Sequence, residues 1–423
     1  SERSFDIIQL PLTDTLGSSS SGIMGLQEEY NLTVEAFSEY LRHLNKDGFL
    51  SASIYLLPPP RQELKLLSTI VNALKLTGNE PAKESVIAIR SWGVLTVLAK
   101  NGVISPSEIE TVKALCREER FDLVWYPGMP EDEANIYNKF QEPLYYRYFK
   151  TILEGGRERF FRDYIFDVRP STDDRPFFGQ TFKMTRMKDT YESVGKKWGV
   201  LIEGGYLLPW IFLQSVLARL TLIISPLLFF KKMRVAGQPL FSITAYFSAI
   251  GVGYMFLEIS IMQRMIPVLG EPVYAISAVL FTLLVSTGIG SYLSGLFRIT
   301  ERYSPHVLLI IPALAILYLL LFTLGTEEIA VMGLEMRFLL TFFFFFPLGM
   351  VMGIPFPTGM SILGRSAPDL IPWAWCINGS FSVISSVLAM LVALAWGFSA
   401  VHLLAAACYA VAWLSLLKLQ RNV

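Results

Sequence analysis

The sequence predicts an α/β domain followed by an all-α polytopic membrane bundle of about seven helices. Three observations carry this expectation. Seven long apolar runs fill the chain from Gly204 onward, and almost none occur before it. An α-helix needs about 20 apolar residues to cross a bilayer core about 30 Å thick, and these runs reach that length. The first half instead alternates short apolar runs with helix-spaced ones, punctuated by Gly and Pro, as strands alternating with helices do. The chain is also 52% hydrophobic and only 17% charged, against about 25% charged residues in soluble domains. The boundaries follow as residues 1–180 for the α/β domain, 181–203 for a juxtamembrane linker and 204–423 for the bundle.

In the first half, Phe5–Leu10 reads as a short buried strand ended by Pro11. Residues 17–22, Gly-Ser-Ser-Ser-Ser-Gly, read as a flexible loop. Val34, Phe37, Tyr40, Leu41 and Leu44 stand at helix spacing, and Gly48 supplies the stop signal. A second buried strand covers Phe49–Leu56. Pro59 and Pro60 then open a helix to Leu76, ended by Gly78. Val86–Ile89 and Val94–Ala99 read as paired strands. Ser105-Pro106-Ser107-Glu108 is a capping box with Pro at the first helical position. Phe121–Trp125 is a further strand, and Tyr137 to Leu153 reads as helix.

In the second half the expected helices lie near 204–230, 240–264, 271–297, 305–324, 338–363, 372–396 and 398–418. The third carries Ser286, Gly288, Gly290, Ser291, Ser294 and Gly295, small residues that let helices approach closely. The fifth holds Pro347, Gly353, Pro355 and Pro357. Such a break at membrane depth needs neighbouring groups to satisfy the freed backbone, and a kink packed within a bundle is the expected form. Arg219 and Glu258 are charges inside apolar spans, which makes them functional candidates. Glu258, Arg264 and Arg337 are expected at the bundle face nearest the soluble domain, where Asp173, Asp174 and Arg175 would pair with them in an interfacial charge cluster. Asn378 is expected to donate an interhelical hydrogen bond, and Trp373 and Trp375 to sit in an aromatic belt.

Lys plus Arg equals Asp plus Glu, 36 each, so charge does not point to nucleic acid. Cys116, Cys376 and Cys408 match no metal or redox spacing and are expected as buried thiols. His43, His306 and His402 are too scattered for a metal cluster, so no metal is expected. His402 reads as an ordinary polar residue near a helix end.

Several motifs resemble one family. Phe5-Asp6-Ile7-Ile8 resembles the FDVI strand of spermidine synthases and related class I methyltransferases, and Leu41 to Leu50 (LRHLNKDGFL) resembles their next helix-to-strand turn. Pro170 to Phe178 (PSTDDRPFF), Gly253 to Arg264 (GYMFLEISIMQR) and Gly353 to Gly359 (GIPFPTG) together resemble the membrane-bound spermidine synthase-like proteins, over nearly the whole chain. The resemblance implies a partial methyltransferase-like Rossmann domain fused to transmembrane helices, aminopropyl- or methyltransferase activity in polyamine or related chemistry, and S-adenosylmethionine or its decarboxylated form as cofactor. It also implies an integral protein of a bacterial inner membrane.

Two departures bear on activity. The glycine-rich turn that lets the backbone approach such a cofactor would lie before Phe5. Spermidine synthases follow the strand with TDSSDP, whose first Asp is the base for the attacking amine. Here the stretch is Leu10-Pro11-Leu12-Thr13-Asp14, so Pro11 occupies the position of the base and only Asp14 matches, as the remaining catalytic candidate. The expectation is a chain that binds no cofactor alone and is completed by an upstream fragment or partner subunit. A non-catalytic docking subunit of a membrane complex and a transporter using the broken fifth helix with Glu258 remain as alternatives. Orientation is open: positive residues on the far loops, among them Lys231, Lys232, Arg234 and Arg298, outnumber those on the near side, which places the domain outside. The resemblance places it in the cytoplasm, which we take as the expectation.

Overall fold

The computed structural model describes residues 3–12, 27–56, 58–193, 207–221, 240–296, 305–323, 329 and 332–421. The chain divides into two compact units, Ser1–Leu207 and Leu208–Val423.

The first unit is an α/β partial Rossmann domain. In chain order it contains β1 (Phe5–Leu10), α1 (Val34–Arg42), β2 (Leu44–Tyr55), α2 (Gln62–Leu76), β3 (Val86–Arg90), β4 (Val94–Lys100), α3 (Pro106–Glu118), β5 (Asp122–Trp125), α4 (Leu144–Glu154), α5 (Arg157–Asp163) and α6 (Met187–Ser193). The sheet order is β1-β2-β4-β3-β5. β1 and β2 are parallel and joined through α1, whereas β4 inserts antiparallel between β2 and β3, and β5 lies antiparallel to β3. The result is a five-stranded mixed sheet with one parallel pair and three antiparallel ones. Helix α2 is its central packing element, with Leu64, Leu67, Ile70 and Leu74 fully buried.

Three sequence expectations are corrected here. β1 is a strand but not a buried one: Phe5 is 46% and Ile7 68% exposed. Helix α1 ends at Arg42 with His43 as its C-cap, close to the expected end near Leu44, but Gly48 is not its stop signal and lies inside β2. Gly48 is there because β1 comes so close that a Cβ would stand 3.0 Å from the Asp6 carbonyl oxygen. Residues 137–143 are not helical, and α4 starts only after Pro143. A proline disfavours helix in the residue before it, and the amides of Tyr137 and Asn138 instead donate to the Asp122 carboxylate, each at 2.8 Å. The capping box is realised in full: Ser105 and Glu108 each bond the other's backbone amide.

The second unit is all helical. It comprises α7 (Leu207–Arg219), α8 (Leu240–Arg264), α9 (Pro272–Leu296), α10 (Ile310–Thr323), α11 (Leu334–Met352), α12 (Pro355–Ser366), α13 (Ile371–Trp396) and α14 (Phe398–Arg421). Among the described residues, six helices are long and apolar enough to cross a membrane, with α11 and α12 counted as one interrupted span; α7 is a shorter apolar helix. Much of the first expected span, from residue 222 to 230, lies outside the described residues. α8 packs on α13 and α14, and α9 packs on α11. The α9–α11 seam is closed by glycines: a Cβ on Gly290 would collide with the Met350 carbonyl, on Gly349 with the Ser286 hydroxyl, and on Gly353 with the Thr287 carbonyl. Pro347 sits within unbroken α11, and the interruption falls at Gly353-Ile354 instead.

Candidate functional site

The motif Pro170–Phe178 forms a strap across the first unit, and the strap is pinned by backbone and charge together. The amide of Val34 at the start of α1 donates to the Ser171 carbonyl at 2.8 Å, and the Glu29 amide donates to the Pro176 carbonyl at 2.7 Å. Thr33, the N-cap of α1, donates from its hydroxyl to Asp173 Oδ1 at 2.6 Å, and the Asp173 amide donates to Glu35 at 2.9 Å. Phe177 and Phe178 are buried. From α2, Lys65 (2% exposed) donates from Nζ to the Phe177 and Gln180 carbonyls at 2.7 and 2.6 Å.

Asp167 is the electrostatic hinge of the strap. It accepts from Arg169 at 2.6 Å and from Arg175 at 2.9 Å. Burial alone would raise its pKa, but the Arg169 hydrogen bonds and the charges of Arg175 and Lys65 outweigh that and hold it well below the usual carboxylate range. Burial presses Lys65 down to about 7, against the favourable charge of Asp167, and raises Glu29 to about 7, with Lys65 opposing. The Lys65 ammonium is engaged by carbonyls, so it works as a tether and offers no free lone pair to a substrate. Asp14, the remaining catalytic candidate, lies outside the described residues. The carboxyl end of β1 presents Leu10, Pro11 and Leu12, none with a side-chain donor or acceptor. These described residues do not fit the amino and carboxylate groups of a sulfonium nucleoside.

In the helical unit, Arg219 is the last residue of α7. Glu258 is 8% exposed on α8, six residues before the helix ends at Arg264, and among the described residues it makes no ion pair or hydrogen bond. Arg264 donates to the Ser399 hydroxyl at 2.5 Å and lies 5.6 Å from the Phe322 ring centre. Arg337 donates to the Val268 and Met332 carbonyls at 3.0 and 2.9 Å, closing the turn after α8 onto the start of α11. Asn378 donates from α13 to the Phe247 carbonyl on α8 at 3.1 Å, the interhelical bond expected of it. The expected cluster would join residues of both units. Within its own unit, Arg175 has Asp167, Asp173 has Thr33, Arg264 has Ser399 and Arg337 has backbone carbonyls.

A cavity of ≈ 230 Å³ opens beside the interruption between α11 and α12. Its walls include Gly251 and Tyr254 of α8, Phe356 of α12, Asn378 and Ser382 of α13, and Tyr409 of α14. A second cavity, ≈ 380 Å³, lies in the first unit between α3 and β5 and touches Cys116. Burial, then the Asp122 charge, pushes that thiol up to about 11, so it is a poor nucleophile. Among the described residues no group of three or more His, Cys, Asp and Glu is placed to hold a metal ion.

No family model, curated protein or solved structure matches the chain.

Sequence reasoning missed three residues. Lys65 and Asp167 carry no local signal, because their partners lie far along the chain. His402 is fully buried rather than peripheral: its Nδ1 is 3.0 Å from the Ser260 hydroxyl of α8 and its Nε2 2.9 Å from the Ala315 carbonyl of α10. It therefore ties three helices together. Trp373 is also corrected. It is buried and donates to Thr244 at 3.1 Å, while Trp375 is 60% exposed.

Proposed function

We propose that this chain is the membrane-embedded back half of a spermidine synthase-like, methyltransferase-type domain, and that it is inactive until a further segment completes its sheet. One observation carries the reading. β1 pairs in parallel with β2 and, among the described strands, has no other neighbour, yet it presents Phe5 and Ile7 to solvent. Parallel strands are normally covered on both faces, and an apolar exposed edge invites another strand. A glycine-rich cofactor turn would arrive on that added segment, supplied upstream or by a partner subunit, and the cytoplasmic side of a bacterial inner membrane is where its cofactor would be met. The same edge supports a second reading, a docking subunit whose partner brings no such turn.

The test is calorimetric titration of the purified chain in detergent with S-adenosylmethionine and with its decarboxylated form. The expected result is no heat of binding up to millimolar ligand. Saturable binding of either compound by this chain alone would overturn the proposal. Adding the completing segment separates the two readings: restored cofactor binding favours the enzyme, and association without it favours the docking subunit.

A further inference from the structure

The cavity beside the α11–α12 interruption has no charge on its walls. No ionisable acid or base lines it, Glu258 included. Ile250, Met352 and Phe356 give it apolar surface, and Asn378, Ser382 and Tyr409 give it polar surface. The polar corner is held in place by a close approach of α8 and α13. A Cβ on Gly251 of α8 would stand 2.8 Å from the Asn378 carbonyl oxygen, 3.0 Å from Asn378 Nδ2 and 3.1 Å from Ser382 Oγ.

Donors and acceptors decide what that corner can hold. Asn378 spends one side-chain N–H on the Phe247 carbonyl at 3.1 Å and keeps its amide oxygen and its second N–H. Ser382 spends its hydroxyl hydrogen on the Asn378 backbone carbonyl at 2.9 Å and keeps oxygen lone pairs. Tyr409 is 1% exposed, and among the described residues its hydroxyl makes no hydrogen bond, although buried polar groups are paired as a rule. The oxygens of Asn378 and Ser382 call for two donated hydrogens, and the Asn378 N–H and Tyr409 O–H call for an acceptor. An ammonium ion has no acceptor and a carboxylate no donor, and either would bury a charge without a partner, which is costly. An alcohol has a single donor. A primary amide has two N–H donors and a carbonyl that accepts twice. A water molecule takes about 30 Å³, so one water leaves ≈ 230 Å³ mostly empty, and the apolar wall gives further waters nothing to bond. Drug-sized sites start at about 300 Å³, so the occupant is small.

We propose that this cavity binds a small uncharged primary amide. Its N–H groups donate to Asn378 Oδ1 and Ser382 Oγ, its carbonyl accepts from the Tyr409 hydroxyl, and its apolar end lies against Ile250, Met352 and Phe356. This site is independent of the sheet-completion reading above, since it lies wholly within the helical unit.

The experiment uses the full chain in lipid nanodiscs, with butyramide as probe, saturation-transfer NMR as readout and empty nanodiscs as the blank. Saturable binding of butyramide is expected. The charged comparators n-butylammonium and butyrate are expected to bind about tenfold more weakly or worse, since each leaves wall groups unpaired. Tyr409→Phe keeps the ring and removes only the hydroxyl, and it is expected to weaken butyramide binding several-fold. The comparison of amide with ions on the unaltered chain keeps the test decisive if that variant fails to fold. No saturable butyramide signal above the blank, which is the result if water alone fills the cavity, would overturn the proposal. Equal binding of the amide and either ion, or unchanged affinity in Tyr409→Phe, would do the same.

Discussion

Lys65 Nζ and the Phe177 carbonyl oxygen, 112 residues apart in sequence, stand 2.7 Å apart in space. That bond fastens the first turn of the central helix to the strap, and Asp167 and its arginines lock the charge in place.

Replacing Lys65 with Met keeps much of the side chain's length and removes the ammonium. Two buried carbonyls then lose their donor and Asp167 loses a neighbouring cation. Destabilisation of about 2–4 kcal/mol is expected for breaking such a buried set, read as a lower denaturation midpoint of the first unit by circular dichroism. A melting curve unchanged from the parent would mean that the strap is held without Lys65.

Asp167 sets an acid limit. Its folded pKa is depressed, so the unfolded chain binds the proton more readily and stability falls as pH drops. The contribution is complete above about pH 4, the ordinary carboxylate value, and disappears as pH falls through the lower folded value. The melting temperature of the parent is expected to fall more steeply between pH 5 and pH 3 than that of Asp167→Asn; parallel slopes would remove Asp167 from the account.

Glu29 acts in the opposite sense. Its folded pKa is raised to about 7, so the folded chain holds the extra proton and stability declines as pH rises from the ordinary carboxylate value towards 7. Glu29→Gln mimics the protonated form. It is expected to match the parent at pH 5 and to exceed it at pH 8 by on the order of 1 kcal/mol. A variant less stable than the parent at pH 8 contradicts this.

The α9–α11 seam offers a paired test. Gly290→Leu drives a side chain into the Met350 carbonyl, whereas Gly288→Leu, two residues away, meets open space. The first is expected to cost about 3 kcal/mol or more and to lose the monodisperse peak on size exclusion in detergent. The second is expected to elute like the parent. Similar behaviour of both would deny that the seam is closed at Gly290.

Much of the architecture was legible because it rests on local chemistry. The Ser105 capping box, the paired β3 and β4, and the apolar spans each declare themselves within a short window. β1 was misjudged because apolar content reports a strand's preference for cover, not whether cover is present. Residues 137–143 were misjudged because their aromatic spacing imitates a helix, while the Asp122 carboxylate and Pro143 decide otherwise. Arg175 was singled out by its motif, yet its partner Asp167 sits outside that motif. His402 and the cavity depend on several helices meeting, which no single stretch of residues records.

The interruption at Gly353-Ile354 has a further consequence. An ordinary helix break adds both free N–H and free carbonyl groups. Here the segment restarts with Pro355 and Pro357 in its first turn, where amide hydrogens would otherwise have faced outward without partners. Two amide hydrogens that a helix start would leave without partners are thus missing from the gap, and the Tyr246 hydroxyl takes up the Pro355 carbonyl, so the chain restarts its helix with fewer polar groups left to satisfy.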